Sequence, residues 1–286
     1  MKRLAVPLLA LAALAVPAAA EDDLTIGFAI AKSGWMEAYD TPAATAAMIR
    51  IDEIHAAGGL LGRQIKVVEA DTRTDRAESA KAGLDVLDQG AEMMVVSCDY
   101  DFGAPAALVA EGEGMNSFFL CAEDVKAGIQ GVGPNSFSAS VLAPVQGATM
   151  AEWAHAKREA RTAYVLEDTF IEYNKGICTG FNWMFPQLEG AQIVGSDTFK
   201  NDDASIASQI TRIKDLPAQP DVIMLCSVMP GAAAAVRQLR AAGINSLILN
   251  GSAVDGSYWL DATPDLSGFV VPVQGSIYGD DPRPEV

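Results

Sequence analysis

Residues 24–71, LTIGFAIAKSGWMEAYDTPAATAAMIRIDEIHAAGGLLGRQIKVVEAD, constrain the fold more than any other part of the chain. Leu24, Ile26, Phe28 and Ile30 are apolar at every second position, the period of a strand with one face buried. A loop that is polar and aromatic at once, AKSGWMEAYDTP, follows. Pro42 then suits the first turn of a helix, and Met48, Ile49, Ile51, Asp52, Ile54 and His55 set out a stripe at three-to-four spacing. Gly58, Gly59 and Gly62 end that helix, and residues 64–69 resume a strand. A strand joined to the next by a helix of this length is the pattern of a parallel crossover. In a parallel sheet the loops leaving the carboxyl ends of strands form the ligand crevice, which makes the loop carrying Ser33, Trp35 and Tyr39 a candidate recognition loop.

The alternation continues. Helix 76–89, strand 91–97, helix 103–112 and strands 116–121 and 135–140 are followed by a helix opening at Ala143, with Pro144 near its first turn. A second series then runs: strand 162–166, helix 171–185, strand 192–197, helix 204–214, strand 221–226, helix 231–242 and strand 246–249. Two such series predict an α/β fold with two layers of parallel sheet. A chain of this length exceeds one ordinary core and suits two lobes.

The first 20 residues read as a leader. Lys2 and Arg3, an apolar run over 4–16 and Ala18-Ala19-Ala20 before Glu21 are the three parts of a secretory signal. About 13 apolar residues are too few to span a bilayer. Removing the leader takes away Lys2 and Arg3, which moves the net charge from −17 to −19. So acidic a chain is repelled by nucleic acid and by anionic lipid. No later run is long and apolar enough to cross a membrane, so a soluble mature protein is expected.

Enzyme signatures are missing. There is no Gly-x-Ser-x-Gly elbow, no GK[ST] phosphate loop and no G-x-G-x-x-G after a strand, and Pro134 spoils Gly131-Val132-Gly133 as a phosphate loop. His55 and His155 lie far apart, and the cysteine spacings match no zinc site, so neither metal nor other cofactor is expected. Cys98 and Cys121 fall at the carboxyl ends of two neighbouring strands, where an exported protein has either a disulfide or two buried thiols. Cys178 and Cys226 pose the same choice in the second series.

Strand, Ser33-Gly34, aromatic loop, helix ending in a GG-x-x-G turn, then a strand ending at Asp71 resembles the opening of the periplasmic branched-chain amino-acid binding protein family, the type I solute-binding proteins of ABC importers. The likeness continues through AAAAVRQLRAAGI (232–244) and covers nearly everything after residue 23. It implies two Rossmann-like lobes, 21–139 and 140–270, joined by a hinge, with crossing strands at 138–142 and 269–274 and a return crossing over 271–286. Family members continue past this return, so the resemblance implies a chain lacking its C-terminal part. It also implies a periplasmic monomer with no catalytic role. Such a monomer closes on an amino acid or similar small polar metabolite and hands it to ABC permease subunits. A ligand-sensing receptor subunit of a membrane signalling system is the competing class.

The same resemblance places the recognition loops. Tyr39 stands where the family has a pocket tyrosine, and Trp35 is beside it, although both also suit plain packing. Residues 97–103 replace a serine-rich, carboxylate-gripping run with Asp99, Tyr100 and Asp101; these acids either favour a cation or a rich hydrogen donor, or simply cap a helix. The turn at Cys121 carries Glu123 in place of the family's threonine, either a ligand group or an exposed acidic helix start. Tyr173 aligns with an aromatic that closes over ligand. Ser227 ends a strand where the family's aromatic is replaced by Val228, and Asp255 lies near the position of an ammonium-binding acid.

Overall fold

The computed structural model describes residues 22–263, 265–276 and 279, so the leader read at 1–20 and most of 277–286 lie outside the described residues. The first sheet contains β1 (Leu24–Ile30), β2 (Ile65–Asp71), β3 (Met93–Val96), β4 (Ser117–Phe119) and β5 (Ser136–Ser138), in the order β2-β1-β3-β4-β5. The second contains β6 (Thr162–Asp168), β7 (Gln192–Phe199), β8 (Val222–Cys226), β9 (Leu247–Leu249) and β10 (Phe269–Val270), in the order β7-β6-β8-β9-β10. Every pairing in both is parallel. Each sheet sets its second strand outside its first and then runs on in sequence, so one topology is laid down twice. Strand order reverses between β1 and β3 in one sheet and between β6 and β8 in the other, the switch points at which carboxyl-end loops part and leave a crevice.

Helix α1 (Glu37–Ala56) covers one face of the first sheet, packing Ala44 and Ile51 on Ile26, Phe28 and Ile30. Ala29, one residue out of phase, faces the other side with Val86 of α2 (Arg76–Asp88) and Ala106 of α3 (Tyr100–Gly112). Three sequence expectations are corrected here. Helix α1 begins at Glu37, so Pro42 lies inside it, because the acids Glu37 and Asp40 suit the positive end of a helix dipole and a proline so near the start removes only one backbone donor. Its apolar stripe runs through Ala44, Ala47, Ile51 and Ile54, while Met48 and Ile49 face solvent, Ile49 being 58% exposed. Helix α3 likewise starts at Tyr100, since the Asp99 carboxylate accepts from Phe102 N at 3.3 Å and caps it. A π-type turn at Lys126–Gln130, unmarked by any periodicity, lies between β4 and β5.

The second sheet is covered on both faces. Helices α4 (Ala143–Arg158) and α5 (Glu172–Met184) pack on one, and α6 (Ala207–Lys214) and α7 (Gly231–Ala241) on the other. Helices α4 and α5 cross without room for side chains: a Cβ at Gly147 would lie 2.0 Å from Ile177 O, and one at Gly180 1.8 Å from Pro144 O. In the first sheet α1 reaches only part of its face, and Phe118 and Phe137 stack at 5.3 Å beyond it, 39% and 44% exposed.

Residues 139–142 lead from β5 to α4. Residues 269 and 270 still belong to the second sheet as β10, and the chain turns back toward the first only after them, where Gln274 Nε2 donates to Glu123 Oε1 at 2.9 Å. Disulfides join Cys98 to Cys121, across the ends of β3 and β4, and Cys178 to Cys226, tying α5 to β8. Among the described residues no helix is long and apolar enough to cross a membrane.

Candidate functional site

At each switch point a buried aspartate ties the diverging strand ends. Asp40, from the first turn of α1, accepts from Ala31 N at 2.7 Å and from Cys98 N at 2.8 Å, the residues that follow the ends of β1 and β3. Burial raises its pKa, and the Cys98 and Ala31 amides pull the other way. Asp168, at the end of β6, accepts from Asn201 Nδ2 at 2.6 Å, Ser227 Oγ at 2.7 Å and Phe170 N at 3.0 Å. Both are fully buried, and both fix where the loops emerge. Sequence reading assigned Asp40 to a loop and gave it no role. The only available signal was an acid in an apolar neighbourhood near a helix start.

The loops so placed enclose a cleft of about 430 Å³ between the two sheets. This is the size and character of a small-molecule site. One wall comes from the first sheet: Trp35, Tyr39, the Cys98–Cys121 disulfide, Asp99, Glu123 and Asp124. The other comes from the second: Ile171, Tyr173, Val228, Ser252, Ala253, Asp255 and Tyr258. The walls touch. Ser252 Oγ donates to the Glu123 carboxylate at 2.9 Å, and the Tyr258 hydroxyl donates to that of Tyr39 at 2.7 Å. Trp35 packs edge-on to Phe102 at 5.4 Å and meets Phe170 of the opposite side at 5.8 Å. Outside the cleft, Asp101 accepts from Glu172 N at 2.8 Å, and Lys126 pairs with Glu172 at 2.8 Å. The largest buried apolar cluster runs through this contact, from Met36, Cys98 and Phe102 to Ile171, Tyr173 and Val228.

Charge is distributed unevenly. Asp99, Glu123 and Asp124 are all buried on the first wall, and among the described residues lining the cleft there is no Lys, Arg or His. Burial holds Asp99 well above the ordinary carboxylate range, with Asp124 and Asp101 adding to it. Burial likewise pushes Asp124 up to about 7; the Tyr100 amide opposes this, and the charges of Asp101, Glu172 and Glu123 add. Glu123 is raised by burial against the hydrogen bonds that it accepts from Ser252 and Gln274. Tyr173 is saturated within the protein: its hydroxyl donates to Gln146 Oε1 at 3.1 Å and accepts from Ala253 N at 3.1 Å. Its ring is what it offers to the cleft. A Cβ at Gly251 would sit 2.4 Å from that hydroxyl, so the close approach requires glycine.

Of the residues singled out from sequence, Trp35, Tyr39, Asp99, Cys121, Glu123, Tyr173 and Asp255 line the cleft. Two are corrected. Tyr100 turns into the first lobe, where its hydroxyl donates to Gly131 O at 3.4 Å, because as the first residue of α3 it points away from the loop. Ser227 is fully buried beneath the wall as a partner of Asp168. Asp99 both caps α3 and lines the cleft, so its two sequence readings describe one residue. Tyr258 escaped sequence reading, whereas Ser252 and Asp124 lie on the candidate loops of Asp255 and Glu123 but were given no role of their own. Both histidines contact main-chain atoms outside the cleft, His55 at Ile65 O (3.0 Å) and His155 at Glu189 O (2.8 Å).

Two lobes of repeated topology around an interlobe cleft are the architecture of a solute-binding protein, and the periplasmic binding protein family profile matches residues 23–286. The chain belongs to the periplasmic binding protein family. This periplasmic binding protein is 24% identical over 263 residues to the Leu/Ile/Val-binding protein BraC3 of Rhizobium johnstonii, covering 91% of this chain and 70% of that one. Its fold matches LivJ of Streptococcus pneumoniae, a branched-chain amino acid transporter substrate binding protein in complex with isoleucine, with TM-score 0.77 and 24% identity over 89% of this chain and 74% of that one. It also matches an ABC transporter solute-binding protein of Rhodopseudomonas palustris in complex with 3,4-dihydroxy benzoic acid, with TM-score 0.68 and 16% identity over 86% and 66% of the two chains. The family and these neighbours are solute-binding proteins, and the fold is the type I form.

Proposed function

We propose that this periplasmic binding protein captures an amino acid or similar small polar metabolite in the periplasm and delivers it to the permease subunits of an ABC importer. The observation that carries the reading is a cleft whose opposite walls come from separate sheets and are bridged by Glu123–Ser252 and Tyr39–Tyr258. Contacts made only when both walls reach the ligand shift the population toward the closed form. The bending points are residues 139–142 and 271–275, the segments that pass between the sheets. The family, the names of its relatives and the absence from the sequence of enzyme motifs all favour binding without turnover.

Thermal-shift screening of the monomeric protein against amino acids, amides, amines and aromatic acids tests this. A true ligand at a hundred times its Kd adds about 2.7 kcal/mol to folding stability, which is a shift of several degrees. Solution scattering on the same sample is expected to show a smaller radius of gyration with ligand. No stabilisation across the panel, or turnover of a ligand that binds, contradicts the proposal.

A further inference from the structure

Among the described residues, the buried aspartates at the switch points and on the cleft differ in their partners. Asp40 and Asp168 are buried, and both oxygens of each accept hydrogen bonds from the protein. Asp124 is buried at 5% exposure and lines the cleft, its Oδ2 accepts from Tyr100 N at 3.3 Å, and its Oδ1 has no hydrogen-bond partner among the described residues. A buried acceptor without a partner is costly and stays that way only if something else supplies the hydrogens.

The neighbouring cations do not. Lys126 and Lys175 border a smaller cavity on the far side of Asp124, and Glu172 holds both, at 2.8 and 2.7 Å. Arg76 is paired with Asp101 at 2.5 Å. Asp99 adds a second buried carboxylate to the same wall, and Glu123 is already engaged by Ser252 and Gln274.

Resting on the reading of the cleft as a ligand site, we propose that its ligand is an organic monocation, a primary amine whose ammonium group sits against the Asp124 and Asp99 carboxylates, with its apolar part against Trp35, Tyr39 and Tyr173. An ammonium brings three donors and one positive charge to a wall that has acceptors and negative charge to spare. The ring faces suit both the alkyl body and the cation. A bound metal ion fits poorly, because among the described residues no three His, Cys, Asp or Glu side chains converge as ligands. A ligand entering carboxylate first would set like charges together. The leucine, isoleucine and benzoate-type ligands of the structural neighbours all carry that group.

Three probes of nearly one shape separate these possibilities: isoamylamine, leucine and 4-methylpentanoate, which differ in having the ammonium alone, both charges, or the carboxylate alone. Calorimetry on the full chain at pH 7.5 is expected to show isoamylamine binding at least tenfold tighter than leucine, with 4-methylpentanoate silent. Asp124→Asn, which is isosteric, is expected to weaken the amine at least tenfold while keeping the fold, as judged by circular dichroism. Asp99→Asn, still a good helix cap, is the second variant and is expected to weaken it several-fold. Tighter binding of leucine or 4-methylpentanoate than of the amine overturns the inference and leaves the binding-protein reading standing. Amine affinity unchanged in both variants also overturns it. Silence from all three probes and from the wider panel removes both.

Discussion

The two walls of the cleft are built by the same device and finished differently. On each, a buried aspartate at the switch point anchors the departing loops, Asp40 through two main-chain amides and Asp168 through one amide and two side chains. Beyond those anchors the first wall presents Asp99, Glu123 and Asp124, all buried. The second presents Tyr173, Ser252, Ala253 and Val228, with Asp255 at the exposed rim. Scaffold carboxylates have every oxygen satisfied, whereas the first wall keeps an oxygen open. A buried acid is therefore read by counting its partners, and its burial alone does not say whether it serves the fold or the ligand.

The largest effect is expected from breaking the anchors. Asp40→Ala leaves two buried amides without acceptors and is expected to cost about 3 kcal/mol in urea unfolding. Asp168→Ala frees mainly the Asn201 and Ser227 side chains, which can turn to other partners, and is expected to cost about 2 kcal/mol. Equal and negligible losses would show that these residues are not anchors.

Asp124→Asn is expected to act in the opposite direction. Its folded pKa is raised to about 7 from 3.8, so between roughly pH 4 and 7 the folded chain binds more protons than the unfolded one, and stability falls as pH rises through that window. Removing the charge is expected to stabilise the ligand-free protein at pH 8 and to leave its stability nearly unchanged at pH 4. Thermal melts at both pH values check this.

A smaller change is expected from Tyr258→Phe, which deletes the hydroxyl bridge to Tyr39 across the cleft mouth. The net value of such a bond is about 1 kcal/mol, so ligand dissociation is expected to quicken about fivefold in stopped-flow, with little change in unfolding midpoint. An unchanged off-rate would mean that the walls are held together by the Trp35–Phe170 side instead.

Much of this was legible in the sequence, and the exceptions share a cause. Alternation at Leu24, Ile26, Phe28 and Ile30 located β1, and the repeated strand–helix order gave two parallel sheets. Helix starts were misplaced where an acid lies inside what looks like a polar loop, Glu37 and Asp40 in the first turn of α1 and the capping Asp99 before α3. Asp40 was illegible because its partners, Ala31 and Cys98, are brought together only by the pairing of β1 with β3. Tyr258 was illegible for the same reason, since its partner Tyr39 is 219 residues away. The surplus of acid on the candidate loops was visible in the chain. Which of those acids lacked partners was not, because that depends on Glu172, Lys126 and Arg76 arriving from elsewhere.

The pH dependence of amine affinity tests the account most directly. The groups around Asp124 are Asp99 and Asp101 from α3, Glu123 beside it, Lys126 from the π-type turn, and Glu172 and Lys175 from α5, so the first wall changes charge mainly as the Asp99–Asp124 pair loses its proton. Calorimetric titration with isoamylamine is expected to show affinity rising about thirtyfold from pH 5.5 to 8, the factor given by one carboxyl titrating near 7. Affinity that is flat or falls over that range would contradict it.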